Sequence, residues 1–162
     1  MRHTISLLVE NKFGVLSRIS GLFSGRGYNI ESLSVGETID PQISVMTIVT
    51  TGDDQIIEQI TKQLNKLIDV IKVVDMTEFD HVEREMILMK LEPKQQDRAE
   101  VLRLTEIFRG RVIDSSKTTY TVEITGDEKK IAAFVELMKP VGIKEFIRTG
   151  KIAIAREGIK KK

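Results

Sequence analysis

The chain has 162 residues, no cysteine, 25 Lys plus Arg against 24 Asp plus Glu, and two histidines. Disulfides, thiolate metal sites and Cys nucleophiles are therefore excluded, His3 and His81 read as solvated residues rather than a metal pair, and a net charge of +1 leaves no electrostatic footprint for nucleic acid. No apolar run approaches the ~20 residues of a membrane span, and the apolar stretch after the basic start is too short for a signal peptide, so a soluble cytoplasmic protein is expected.

His3 to Val9 is apolar and β-prone and predicts a strand. Asn11 to Gly14 is turn chemistry. Val15, Leu16, Ile19, Leu22 and Phe23 then share one helical face, and Gly25 and Gly27 end that helix, since glycine readily takes the left-handed conformation required there. Ile30 to Val35 and Ile43 to Thr51 predict strands joined by a loop holding Asp40 and Pro41. Asp53 suits an N-cap, and Ile57, Ile60, Leu64, Leu67 and Ile68 mark a second helix. Val70 to Met76 predicts a fourth strand, with Val70 and Val74 on one face and Ile71 and Val73 on the other. The order is βαββαβ, the ferredoxin-like arrangement.

The pattern then repeats. "TGDD" at Thr51 returns as "TGDE" at Thr125, and the same offset maps Ile57, Ile60 and Leu64 onto Ile131, Phe134 and Met138. "FSGR" at Phe23 returns as "FRGR" at Phe108. Met86 to Leu91, Arg111 to Asp114, Tyr120 to Ile124 and Ile143 to Ile147 supply the second set of strands, with Val101, Leu104 and Phe108 along its first helix. The fold class is α+β, two ferredoxin-like domains at residues 1–78 and 79–162, joined through the polar stretch Asp80 to Glu85. The one charge run, Lys160 to Lys162, reads as a solvated end.

The first copy differs from the second at both ends of its first helix. Five of the eleven glycines fall at 14, 21, 25, 27 and 36, and an asparagine lies outside each helix end, at 11 and 29. The second copy has "KQQDRAEVL" and "GRVID" at the matching places and lacks these fences. The first amides of a helix have no intrahelical partner, and the dipole puts partial positive charge there. Gly14 lets a ligand approach that backbone with no Cβ in the way, which suits the carboxylate of an amino acid. Asn11 or Asn29 can supply an acceptor for the ammonium, and Phe13, Val15, Leu16 and Ile30 suit an aliphatic side chain. The same residues are also what an ordinary turn and an ordinary helix stop require, and spacing alone leaves both readings open.

"NKFGVLSRISGLFSGRGYNIESLSVG" resembles the opening of the ACT domain in the small, regulatory subunit of acetolactate synthase. "HVEREM" at His81, "TEIFRGRVID" at Thr105 and "RTGKIAIAR" at Arg148 resemble that subunit's C-terminal half, so the resemblance covers nearly the whole chain. It implies a non-catalytic regulator that raises the activity of a large subunit and confers feedback inhibition by a branched-chain amino acid, valine above all. Thiamine diphosphate, FAD and magnesium are then expected on the large subunit, with no cofactor or metal on this chain. The resemblance further implies a homodimer through the ACT domains. One chain would bring the turn Asn11, Lys12, Phe13, Gly14, Val15 and Leu16 to the effector, and the other Asn29 and Ile30. Phe13 is bulkier than is common in such turns, which bears on pocket size.

An RNA-binding reading of βαββαβ needs aromatics on the central strands, and "ISVMTIVTT" has none. An independent enzyme needs a nucleophile, base or metal constellation, and Glu58, Glu83, Glu85 and Glu100 read as solvated charges without such spacing. A third reading is an ACT-type amino-acid sensor acting on a different enzyme or a transcription factor, which the C-terminal stretches disfavour.

Overall fold

In a computed structural model, which describes residues 1–157, the alternation of the first segment becomes β1 (Arg2–Glu10), with Ile5, Leu7 and Val9 buried on one face. Helix α1 (Val15–Gly25) lays Val15, Ile19 and Phe23 on that face. Leu22 is half-buried, and Leu16, the remaining member of the stripe read from the sequence, points outward. Strands β2 (Ile30–Glu37) and β3 (Ile43–Thr51), helix α2 (Asp54–Leu64) and strand β4 (Val70–Asp75) complete the unit. Its antiparallel sheet runs β2-β3-β1-β4. Met46 and Ile48 of β3 and Ile57, Ile60 and Leu64 of α2 close the core.

The second copy repeats this with β5 (His81–Leu91), α3 (Arg98–Ile107), β6 (Arg111–Ser115), β7 (Tyr120–Gly126), α4 (Glu128–Met138) and β8 (Ile143–Arg148), in the order β6-β7-β5-β8. Ile131, Phe134 and Met138 are buried as the offset requires. The repeated "TGD" is a repeated helix start: Asp53 accepts from the amide of Ile56, and Asp127 from that of Lys130, each at 2.8 Å.

Contacts divide the chain into residues 1–82, grouped with the segment from Lys151, and residues 83–150. β9 (Ile152–Ala155), an alternating segment too short to stand out in the sequence, pairs with β5, whose first residues group with the same unit. The polar stretch from Asp80 is thus largely strand: β5 begins at His81, five residues before the strand read from periodicity. The Lys160 to Lys162 run lies outside the described residues.

Two residues read as solvated are buried. His3 shares the inward parity of Ile5, Leu7 and Val9, and Glu85 that of Ile87, Met89 and Leu91. Each meets a polar partner on the fourth strand of its own copy: His3 Nδ1 lies 2.8 Å from Asp75, and Arg148 lies 3.7 Å from Glu85. Asp75 pairs with Ile5 and Arg148 with Ile87, so the two copies place these contacts at equivalent points of the sheet. The fourth strand also differs from expectation. A register shift between Leu8 and Val9 turns Val70 and Val73 to the same core, leaving Ile71 exposed. On the opposite face of the sheet, Thr4, Thr47 and Val49 are buried within the chain itself.

Two glycine substitutions should separate packing from propensity. A Cβ at Gly110 would lie 2.0 Å from Ile124 Cδ1 and 2.8 Å from the Glu123 carbonyl oxygen, so Gly110→Ala should cost about 1–3 kcal/mol in denaturant unfolding. Gly21, inside α1 with nothing within 4 Å, should gain roughly 0.5–1 kcal/mol as Ala. Equal shifts in the two variants would contradict this packing.

Candidate effector site

Four residues, Asn11 to Gly14, reverse the chain between β1 and α1. Three loops meet at this end of the sheet, and backbone bonds stitch them together. The amide of Glu10 donates to the Asp69 carbonyl (2.9 Å), and that of Asn11 to the Gln42 carbonyl (2.7 Å). The Asn11 side chain adds two bonds, donating from Nδ2 to Glu37 (3.0 Å) and to the Pro41 carbonyl (2.9 Å). Both its N–H groups are thereby engaged with the β2–β3 hairpin, which fixes the amide's orientation and leaves Oδ1 as the acceptor.

Gly14 is the N-cap of α1, at φ 78° and ψ −6°, a left-handed conformation that side chains disfavour. It offers no side-chain acceptor to the helix. Among the described residues, no acceptor in the chain serves the amides of Gly14, Leu16 or Ser17, while Arg18 N bonds the Gly14 carbonyl at 2.9 Å. The helix therefore begins with open donors at the positive end of its dipole. A Cβ on Gly14 would also stand 2.9 Å from Arg18 Nη1, so glycine makes room for a guanidinium over the helix start. Arg18 is held there by the buried carboxylate of Asp69 and reaches the Phe13 carbonyl at 3.5 Å.

Lys12 pairs with Glu10 at 2.7 Å. That hydrogen bond, aided by the carboxylate's charge, holds the ammonium above its ordinary pKa, so the cation persists across the physiological range. Phe13 projects fully into solvent, at 103% of its reference exposure, on the rim of an open depression lined with Asn11 and Lys12. Leu16 is 44% exposed beside it, whereas Val15 is turned into the core.

Asn29 and Ile30 lie at the far end of α1. The helix stops in a Schellman motif: Tyr28 N donates to the Phe23 carbonyl (2.9 Å) and Gly27 N to that of Ser24 (3.1 Å), with Gly27 left-handed at φ 71°. Tyr28 packs edge-on against Phe23 at 6.5 Å. Asn29 is exposed, its carbonyl accepting from Thr50 Oγ1 at 2.6 Å, and Ile30 packs against the core. Eleven helical residues separate the turn from Asn29, about 16 Å along the axis. One chain therefore does not bring the two groups together. Arg18 and Asp69 were missed from sequence: the pair spans 51 residues and carries no local signal.

Two ferredoxin-like units with one strand order, the first with a glycine-marked turn between β1 and α1, define an ACT-domain protein. The family profile described as an AHAS small subunit-like ACT domain matches residues 5–72, and that of the small subunit of acetolactate synthase matches residues 84–157. The acetolactate synthase small subunit of Aquifex aeolicus is 58% identical over 96% of this chain and 82% of its own length. A probable acetolactate synthase small subunit of Archaeoglobus fulgidus is 53% identical over 96% of this chain and 98% of its own. The crystal structure of the acetolactate synthase small subunit from Thermotoga maritima superposes with a TM-score of 0.85 at 43% identity, covering 96% and 98% of the two chains. The chain belongs to the acetolactate synthase small-subunit family.

Removing the Asn11 side chain tests its part in joining the loops. Asn11→Ala should lower unfolding free energy by about 1 kcal/mol, since water takes over two exposed acceptors. Amide exchange should quicken in the hairpin from Thr38 to Gln42. Unchanged exchange there would show that the hairpin does not depend on Asn11.

Proposed function

We propose that this chain is the regulatory subunit of acetolactate synthase. It binds the thiamine-diphosphate-dependent large subunit, raises its activity, and transmits inhibition by a branched-chain amino acid, valine above all. Condensation of two 2-oxoacids takes place on the large subunit, with its thiamine diphosphate, FAD and magnesium, in the cytoplasm. This chain supplies no catalytic group. The observation that carries the reading is the start of α1: open amides at Gly14, Leu16 and Ser17 beneath the Arg18 guanidinium, in the turn that Asn11 opens.

The carboxylate of the effector sits on those amides, where dipole and hydrogen bonds favour an anion. Its ammonium needs acceptors from Asn11 and from Asn29. Because Asn29 lies a helix length away, the site forms where two copies meet, the turn of one facing Asn29 and Ile30 of the other. Phe13 and Leu16, exposed in the single chain, become the apolar wall.

Acetolactate formation from pyruvate tests this. The chain alone should give no product, its addition should raise turnover of the large subunit, and valine should reverse the gain. Product from the chain alone, or no response of the large subunit, overturns the proposal.

Gly14→Ala and Gly14→Asp then separate backbone from charge. Both put a Cβ on a left-handed residue and should destabilise by roughly 1–2 kcal/mol. A Cβ also narrows the ligand's approach, so both should weaken valine binding, and Asp, which alone brings a carboxylate to the amides assigned to the ligand, by a further tenfold or more, about 1.4 kcal/mol. Calorimetry and thermal unfolding on the same samples check this, and equal affinity loss in both variants counts against the charge argument.

A further inference from the structure

The first unit holds Arg18 at the start of its first helix by a buried anion, and the second unit, which lacks the open turn, has no such pair. The matching points follow from the backbone. Glu10 N donates to the Asp69 carbonyl at 2.9 Å and Glu92 N to that of Gly142 at 3.0 Å, at the same step between the first and fourth strands of each copy. Helix α1 buries Ile19 and Phe23 and closes with Tyr28 N on the Phe23 carbonyl, while α3 buries Val101 and Thr105 and closes with Gly110 N on that of Thr105. Arg18, immediately before Ile19, therefore corresponds to Glu100, immediately before Val101, and Asp69 corresponds to Gly142. Both copies keep the backbone bond, and the first alone adds a carboxylate and a guanidinium to it. Glu100 turns instead to Arg103 on its own helix, at 2.7 Å. The scaffold does not require the Arg18–Asp69 pair.

The pair also leaves the cation half used. Nη2 of Arg18 serves both Asp69 and the Phe13 carbonyl, and among the described residues Nη1 and Nε have no acceptor. The Arg18 side chain is 50% exposed, against 11% for Asp69, so one end of the ion pair is anchored inside and the other is open. Nη1 is the atom that stands over Gly14, 2.9 Å from the place of a Cβ. Unused N–H groups of a fixed cation and the open amides of Gly14, Leu16 and Ser17 thus occupy one helix start. Hydrogen bonds from a guanidinium to a carboxylate are roughly twice as strong as those between neutral groups.

We propose that Arg18 is the specificity-determining residue of the effector site: its Nη1 donates to the carboxylate seated on the amides of α1. Asp69 is a positioning residue, which acts by holding the guanidinium through Nη2. This rests on the effector site proposed above and adds to it the chemical class of the ligand. Amides alone serve any oxygen acceptor, whereas an anchored cation selects an ionised carboxylate. The site therefore takes a free amino acid and rejects the same side chain presented as a carboxamide.

Calorimetric titration of the full chain with valine and with valinamide tests this, with thermal unfolding on the same samples. The native chain should bind valine at least about tenfold more tightly than valinamide. The double variant Arg18→Gln, Asp69→Asn removes cation and buried anion together, so it should stay folded, and its preference for valine should fall to about threefold or less. Arg18→Lys, which keeps the charge without the planar fork, should retain part of the preference, and Asp69→Asn, which frees the guanidinium, should fall between the native chain and the double variant. A folded double variant with the native preference overturns this inference alone, as does a native chain that binds valine and valinamide equally. Equal weakening of both ligands in the double variant, or its failure to fold, also overturns it, since the pair would then be structural. A native chain that binds neither ligand overturns the effector site and this inference together.

Discussion

A strand ending at Glu10 and a helix starting at Val15 that packs back over it leave four residues for the chain to reverse. That constraint sets the conformation of the whole end of the sheet. It demands a left-handed residue at position 14, and glycine meets the demand at least cost. It brings the turn beside the β2–β3 hairpin, where Asn11 bonds it, and beside the α2–β4 loop, where Asp69 holds Arg18. The open amides, the cation above them and the outward Phe13 all follow from how the reversal is made.

The features legible in the sequence were those written in local periodicity. The stripe Val15, Ile19, Phe23 and the matched set Ile57, Ile60, Leu64 and Ile131, Phe134, Met138 are core in the structure, and the two aspartates after "TG" cap their helices. What could not be read depended on distant partners. His3 and Glu85 looked solvated because Asp75 and Arg148, which compensate their burial, lie on the fourth strand of each copy. The inward turn of both Val70 and Val73 rests on a register shift, which alternation does not encode. Of the candidate site, the glycines and asparagines were visible as residue types. The bonds that orient Asn11, and the Arg18–Asp69 pair, were not.

The internal repeat serves as a comparison within one molecule. Both copies bury equivalent residues and share one strand order, so the scaffold needs neither Gly14 nor Asn29. The second copy begins α3 differently: a short 3-10 turn, Gln95–Asp97, leads into it, and its N-cap Asp97 keeps a right-handed backbone. A left-handed glycine beneath a guanidinium belongs to the first copy. The helix ends differ as well, with Gly27 at the left-handed position in the first copy and Arg109 in the second.

The central claim is that two chains share each effector site, because one helix length parts its two halves. Valine titration of a mixed dimer, with Gly14→Asp on one chain and Asn29→Ala on the other, tests it most directly. If the sites are shared, one is spoiled twice and the other is untouched, and calorimetry should count one site of native affinity per dimer. If each site is built within a single chain, both are spoiled once, and the absence of any native-affinity site would contradict the account.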